Sequence, residues 1–351
     1  MKKMILAVLL SFLTLSALFA YNPPVFADSM YELSSPKTLS LGSSVSGGAI
    51  FSGSPDSIIS NPAISAQEQR AILNLGYTGL VSTNNENPVK YGSAFQISTL
   101  IPFKIFVLNA YLNGTFIPFE EMNLNNSFTL KTAISKPITE KLDLGLGINS
   151  GIAWGKGKSW LISANLGGLY HYGDLAFMKD FRIGASILNL GNNFNSVNGI
   201  GINGKVSSGY PSIFTVKVGA AASLFKNDLI NLGCALDLTT PTFQNLILDA
   251  ALQFSVKEML FINLSEKLNI REIANGHKDF IPAVSLNFKF TFDFNNNYMT
   301  EKGWEQSEFN AYVGYKQIVP SVNAVSASAD LILGLKDTTP PVIEIWMDDE
   351  E

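Results

Sequence analysis

The sequence contains only one cysteine, Cys234, and only two histidines among its 351 residues. A single cysteine excludes an internal disulfide and a multi-thiolate metal site. It also excludes lipid attachment at a leader cleavage site, because Cys234 lies deep in the chain. The fold must therefore be held together without covalent cross-links.

Charge is scarce as well, since Asp, Glu, Lys and Arg make up 15% of the chain whereas soluble domains contain about a quarter. The formal net charge is −5 and no basic cluster is present, which argues against a nucleic-acid partner. After the N-terminus, no apolar run reaches the ~18 residues that a membrane helix needs. With 46% hydrophobic residues, the chain must build buried strands or strands that face lipid.

The N-terminus has the features of a secretory signal peptide. Lys2 and Lys3 precede an apolar core that ends in small residues. Cleavage after Ala20 or after Ala27 fits, and the small-residue rule slightly favours Ala27. We therefore expect a removed leader over residues 1–27, in preference to a membrane anchor.

From Ala71 onward, apolar and polar residues alternate in short segments separated by Gly, Asn, Pro and charged clusters, which predicts strands. The clearest segment is Leu142 to Ile152. An even number of strands is typical of single-chain bacterial barrels. We predict fourteen strands, at 71–81, 91–101, 105–116, 126–135, 142–152, 160–171, 181–190, 213–224, 230–239, 246–255, 259–266, 281–293, 308–317 and 322–335.

The charged residues of these segments all fall on the face opposite the apolar stripe. A large soluble β-sandwich would also alternate, but its polar face would be rich in Lys, Glu and Thr, whereas this one is mostly Gly, Ala, Ser and Asn. A Lys or Arg that faced lipid would cost about 2–4 kcal/mol at mid-bilayer. The pattern favours an all-β transmembrane antiparallel barrel over residues 69–335. Its predicted lumen charges nearly cancel, which favours a plugged lumen over an ion-selective pore; they are Lys131, Asp143, Arg182, Lys217, Asp237, Asp249, Lys289 and Asp330.

The lengths of the connections fit a barrel with both termini in the periplasm. Short turns are expected after even-numbered strands, at 101–104, 136–141, 226–229 and 257–258. Longer outer loops are expected after odd-numbered strands, at 82–90, 117–125, 191–212 and 266–280. Residues 295–307 break this rule, so either a strand is miscounted there or that turn is extended.

Residues 28–68 combine aliphatic residues with many Ser and Gly residues and lack a clear strand pattern. A disordered tail would contain fewer aliphatic residues. Irregular backbone is tolerated at membrane depth where protein and water enclose it, so we predict a compact plug in the lumen. Its candidate ligand-contacting or bracing residues are Phe51, Ile58, Ile59, Asn61, Pro62, Ala63 and Ile64.

The segment "DSIISNPAISA" at 56–66 resembles the D-A-x-x-x-x-N-P-A-G-L-A motif of FadL-type outer-membrane transporters. Residues 134–151, 166–173, 181–194 and 210–224 are similar to the PorV-like branch and to the FadL-like outer-membrane family of spirochaetes. The resemblance implies a fourteen-stranded barrel with an N-terminal hatch. It further implies that hydrophobic molecules, typically long-chain fatty acids, pass through the hatch and sideways into the bilayer.

Two features depart from the FadL pattern. Ile64 replaces the glycine that follows N-P-A, and the last strand is followed by an acidic tail over 336–351 instead of ending on an aromatic residue. The tail resembles the beginning of a periplasmic β-sandwich repeat. We therefore expect a periplasmic contact for it.

No catalytic, cofactor or metal site is predicted. His171 lies in "LYHYG" at a strand end, where a position in the interfacial aromatic belt is expected, and His277 lies in an outer loop. No Ser-His-acid arrangement can be placed. "GKGK" at 155–158 lacks the rest of a phosphate-binding loop.

The sequence thus predicts an exported outer-membrane channel, in contact with outer-membrane lipid, for passive uptake of a hydrophobic small molecule. A PorV-like docking protein for secreted or surface proteins is the first alternative, and a non-specific porin is the second.

Overall fold

The computed structural model describes residues 21–40, 44–48, 50, 54–83, 89–155, 157–195, 199–277, 281–294, 297, 304 and 306–334. Phe51, most of the predicted leader and the predicted tail lie outside the described residues. The expectations about them stay predictions.

Fourteen antiparallel strands form a closed barrel, and each corresponds to one predicted segment. The count is therefore confirmed. The strands are β1 Ala71–Ser82, β2 Lys90–Pro102, β3 Val107–Phe116, β4 Asn126–Thr139, β5 Leu142–Trp154, β6 Lys158–Leu175, β7 Met178–Gly191, β8 Thr215–Lys226, β9 Ile230–Pro241, β10 Ile247–Val256, β11 Leu260–Asn269, β12 Ala283–Asp293, β13 Gln306–Val319 and β14 Val322–Leu333.

The barrel closes between its first and last strands. β1 pairs with β14 over its whole length, from Ala71 opposite Leu333 to Ser82 opposite Val322. Because every strand has two neighbours, the barrel has no open edge strand available for pairing with another chain.

The wall is apolar outside and polar inside, as β5 illustrates. Leu146, Ile148 and Ile152 are 54%, 59% and 56% exposed, whereas Asp143 and Asn149 are fully buried. In water, so large an exposed apolar surface would be unfavourable, and the arrangement fits a wall that faces lipid. Among the described residues, none of the helices is long and apolar enough to span a membrane.

The two ends of the barrel differ in their connections. The end that carries residues 192–214, between β7 and β8, is called the loop end; it also carries residues 270–282, which include helix α2 (Ile270–Ala274). The opposite, turn end carries short connections such as 140–141 and 176–177. One long connection, 294–305, also lies at the turn end. The strand count is therefore correct there, and this connection is simply longer than the other turns.

The described residues between 21 and 70, here called the N-terminal segment, precede β1. They form 3₁₀ turns at Ala27–Ser34 and Pro55–Ile59 and one helical turn, α1, at Pro36–Leu39. Pro36 starts α1 without needing an N–H partner, and the Ser35 side chain accepts a hydrogen bond from Thr38 N. Nearly all these residues are buried, including 21–27, which the sequence prediction assigned to the leader.

Candidate functional site

The N-terminal segment bonds to inward-facing polar residues of the wall. Ser34 lies 2.9 Å from the hydroxyl of Tyr111 and accepts a hydrogen bond from Asn113 Nδ2 at 2.7 Å. Asp56 accepts one from Gln96 at 3.2 Å, and Ser40 lies 2.7 Å from Ser285 on the far side of the barrel. The segment therefore touches widely separated strands at one time.

The Asn61–Pro62–Ala63 turn is the part of the segment that fits the wall most closely. Asn61 Nδ2 donates to Val45 O at 2.8 Å and to Gly168 O at 3.0 Å, while its Oδ1 accepts from Ala63 N at 2.9 Å. The turn packs directly against the backbone of wall glycines. At Gly145, a side chain would not fit, because its Cβ would lie 2.5 Å from the carbonyl carbon of Pro62. The wall is glycine-rich at this point because a backbone approaches it.

Gly167, on the neighbouring strand β6, is also in contact with the Asn61–Pro62–Ala63 turn. A Cβ at Gly167 would lie 2.0 Å from Asn61 Oδ1, whereas one at the neighbouring Gly168 would have no heavy atom nearer than 3.6 Å. Of these three glycines, the turn therefore packs against the two that face inward, Gly145 and Gly167.

The other predicted hatch residues divide into two groups. Ile58 is fully buried against Tyr111, with Ile59 packed beside it, and Ala63 and Ile64 pack against Leu169. They brace the segment against the wall, and their predicted contact with a ligand stays a prediction.

The first residues of the N-terminal segment bind connections at the loop end. Asn22 O accepts from Ser208 N at 3.0 Å. The Tyr21 hydroxyl donates to Asp28 at 2.7 Å and accepts from Asn245 at 2.6 Å. These bonds tie residues 21–28 to the β7–β8 and β9–β10 connections.

Glu272 of α2 completes this loop-end contact by accepting a hydrogen bond from Phe26 N at 2.8 Å. Burial raises the pKa of Glu272 to about 7, the bond from Phe26 opposes the rise, and the nearby charge of Asp28 adds to it. Burial also raises the pKa of Asp28. Phe26 has φ 64°, an uncommon backbone conformation for a bulky residue, so its neighbours must hold it there.

The eight predicted lumen charges all lie on the inner side of the wall, and several are paired. Lys267 of β11 bridges Glu32 of the N-terminal segment at 2.5 Å and Asp249 at 3.5 Å. Asp237 accepts from Val45 N at 2.9 Å. Lys267, which sequence reasoning did not select, is thus an ionic link between segment and wall.

Lys131 differs from the other buried charges. It is 2% exposed, and its ammonium group lies 3.6 Å from the ring centroid of Tyr31. Among the described residues, no carboxylate forms an ion pair with it. It lines a cavity of about 40 Å³ together with Ile59, Leu188 and Ile247.

A much larger cavity lies at the turn end and has a volume of about 490 Å³. Its lining includes the pairs Arg70–Glu308 and Lys289–Glu308, both 3.0 Å long. Arg182 lines it as well. The loop-end cavity beside Phe26 measures only about 50 Å³.

One histidine prediction is wrong. His171 does not lie in an aromatic belt, because its Nε2 lies 2.7 Å from the inward-facing Asp143. Its neighbours Tyr170 and Tyr172 face outward instead. The alternation of β6 runs unbroken through Ser163, Asn165 and Leu169, so it already places His171 on the lumen side. His277 lies in the β11–β12 connection as predicted, 3.1 Å from Ile202 O.

No protein-family model and no curated protein matches this chain. Among solved structures, a deltaS2 mutant of the monoaromatic hydrocarbon channel TodX matches with TM-score 0.54 and 12% identity, over 85% of this chain and 98% of that one. The monoaromatic hydrocarbon channel CymD matches with TM-score 0.52 and 12% identity, over 87% and 98%. A FadL homologue of Pseudomonas aeruginosa matches with TM-score 0.45 and 11% identity, over 82% and 95%, and this likeness is too distant to use. The first two show that the chain shares their barrel fold.

Proposed function

We propose that this protein is an outer-membrane channel for passive uptake of a hydrophobic molecule, with the N-terminal segment as a plug that must shift for passage. The observation that carries the proposal is the segment's position. It is bound at the loop end through Asn22 and Glu272, at mid-barrel through Asn61, and next to the turn-end cavity through Arg70.

An apolar outer wall and a polar, occupied interior support placement in an outer membrane, with the loop end outside the cell. The fold shared with TodX and CymD, whose names describe hydrocarbon channels, supports a hydrophobic solute. The cavities of about 40 and 50 Å³ hold water-sized groups, so a ligand would have to displace part of the segment.

The buried Lys131 supports a solute with an acid group, such as a long-chain fatty acid. An unpaired buried ammonium is costly, and a ligand carboxylate would compensate it. Apolar side chains such as Leu188 and Ile247 border the same cavity and suit an alkyl chain. A neutral hydrocarbon would leave Lys131 with the Tyr31 ring but without an anionic partner.

Uptake of labelled fatty acid into liposomes tests the proposal. We expect the full chain to admit it and Lys131→Met to reduce the initial rate about tenfold or more, since a charged hydrogen bond contributes about 1.5–3 kcal/mol. Lys141→Met, at an exposed turn-end lysine, is the matched control and should leave the rate unchanged. No uptake by the full chain would refute the proposal.

Docking of a partner protein is the second candidate, and one surface favours it. In the β7–β8 connection, Ile200 and Val206 face each other in a short bridge and are 50% and 74% exposed. Co-purification that depends on Val206 would support docking. A contact of the 336–351 tail in the periplasm and kinship with the PorV-like or spirochaete proteins stay predictions.

A further inference from the structure

We propose that the turn-end cavity is a binding site for the carboxylate of an amphiphilic acid and that Arg182 is its anchor. The inference rests on the proposed function, because uptake through the barrel is what would bring such an acid to the cavity. It adds a second binding site for the solute, at the turn end of the barrel, whereas the first residues of the N-terminal segment bind at the loop end.

The size and lining of the cavity suit such a ligand. Its volume of about 490 Å³ lies within the range of small-molecule sites, about 300–1,000 Å³. Ile50, Ile72, Phe261 and Ile332 provide an apolar portion of the lining, and the rest is polar. A molecule with an alkyl chain and one acid group matches both portions.

Most bases that line the cavity already have partners. Arg70 and Lys289 share Glu308, and Lys226 lies 3.7 Å from Asp180. His171 is paired with Asp143, and Lys37 lies over the ring of Tyr312. These groups balance one another without a ligand.

Arg182 is the exception among the described residues. Its Nη2 donates to Gly48 O, a neutral acceptor, and its Nε is buried without a hydrogen-bond acceptor. No carboxylate of the described residues forms an ion pair with it. A guanidinium with free donor capacity favours a planar carboxylate, which it can bind through two parallel hydrogen bonds.

Other orphan polar atoms of the cavity wall agree with a site that accepts a polar group. Ser223 Oγ, Asn231 Oδ1 and Asn287 Oδ1 are buried without partners, and their residues all line this cavity. Buried polar groups of this kind require water or a ligand. Ser223 Oγ could donate to a carboxylate bound at Arg182, and water around that carboxylate could donate to the two amide oxygens.

The position of Arg182 links the site to the N-terminal segment. Gly48 belongs to the stretch whose residue Val45 also accepts a hydrogen bond from Asn61. A carboxylate that bound Arg182 would compete with Gly48 O for the guanidinium. An acid passing Lys131 would therefore meet, before it left the barrel at the turn end, a second cation that forms no ion pair with a carboxylate of the described residues.

Photolabelling of the full-length protein in lipid nanodiscs tests the site, with dodecanoic acid that carries a diazirine as the probe. We expect labelled peptides that contain Ile50 or Phe261. Arg182→Gln should lower their labelling about ten- to a hundredfold, because a charged hydrogen-bond donor is lost. Arg182→Lys keeps the positive charge but not the two parallel hydrogen bonds, so its labelling should lie between those of the wild type and Arg182→Gln. Such intermediate labelling also shows that the position tolerates substitution.

Two controls make the result specific. Lys226→Gln removes a base from the same cavity but one that is already paired, and it should leave the labelling unchanged. The methyl ester of the probe should label these peptides weakly and equally in wild type and Arg182→Gln. Equal labelling by acid and ester, or wild-type labelling in Arg182→Gln, would overturn the proposal.

The outcomes separate this site from the proposed function. Arg182-dependent labelling without any liposome uptake would refute transport and leave the site standing. Uptake together with labelling that ignores Arg182 would refute the site and leave transport standing.

Discussion

Replacing Gly145 by alanine should loosen the Asn61–Pro62–Ala63 turn without harming the barrel. The new Cβ would lie 2.5 Å from the carbonyl carbon of Pro62 and 2.6 Å from Ala63 N, so it meets backbone that no rotamer change can move away. The turn must retreat by about 1 Å to reach ordinary contact distance.

That retreat breaks the two hydrogen bonds that Asn61 Nδ2 donates, at 2.8 and 3.0 Å, whereas the bond from Ala63 N lies inside the turn and moves with it. At about 0.5–1.5 kcal/mol each, the loss of these two bonds destabilises the docked turn by about 1–3 kcal/mol. Since 1.4 kcal/mol is a factor of ten, the population of the released turn should rise about fivefold or more.

Hydrogen exchange of the peptide that spans 54–66, read by mass spectrometry, measures that population. Gly168→Ala is the matched control, because its Cβ would make only ordinary van der Waals contact, 3.6 Å from Leu144. We expect faster exchange in Gly145→Ala only, with the thermal unfolding of the barrel unchanged. Wild-type exchange in Gly145→Ala, or an equal rise in Gly168→Ala, would refute the docking described above.

Two further predictions concern the loop end. Because the pKa of Glu272 is raised to about 7 from an ordinary value near 4.5, its contribution to docking is fully present below about pH 4.5 and is lost as pH rises through 7. Amide exchange around Phe26 should therefore quicken between pH 5 and 8 beyond its intrinsic pH dependence. Glu272→Gln should reduce that excess and leave only a part due to Asp28, whose pKa burial also raises; an undiminished excess in the variant would contradict the assignment. Signal cleavage should follow Ala20, because cleavage after Ala27 would remove Tyr21 and leave Asp28 without its hydroxyl donor; intact mass of the exported protein decides between the two sites.

The strands could be predicted from sequence because their signal is local. In β5, each apolar residue is followed by a small or polar one, and a closed wall between lipid and lumen needs that alternation along every strand. The inward charges, such as Lys131 and Asp249, followed from the same rule. The prediction for His171 failed because it followed the two neighbouring tyrosines and not the alternation of β6.

The pairings inside the barrel could not be predicted, because they join residues far apart in the chain. Nothing local to Gly145 indicates that Pro62 rests on it, and nothing local to Lys267 indicates that Glu32 is its partner. The burial of residues 21–27 could not be predicted for a similar reason. Their composition resembles the end of a leader, and the bonds between Asn22 and Ser208 join distant parts of the chain.

Single-channel conductance in planar bilayers tests most directly whether the N-terminal segment closes the barrel. We expect the full chain to be silent or to open only briefly, and a variant that lacks residues 21–68 but keeps all fourteen strands to conduct ions steadily. Steady conductance by the full chain, equal to that of the deletion variant, would contradict a plugged lumen.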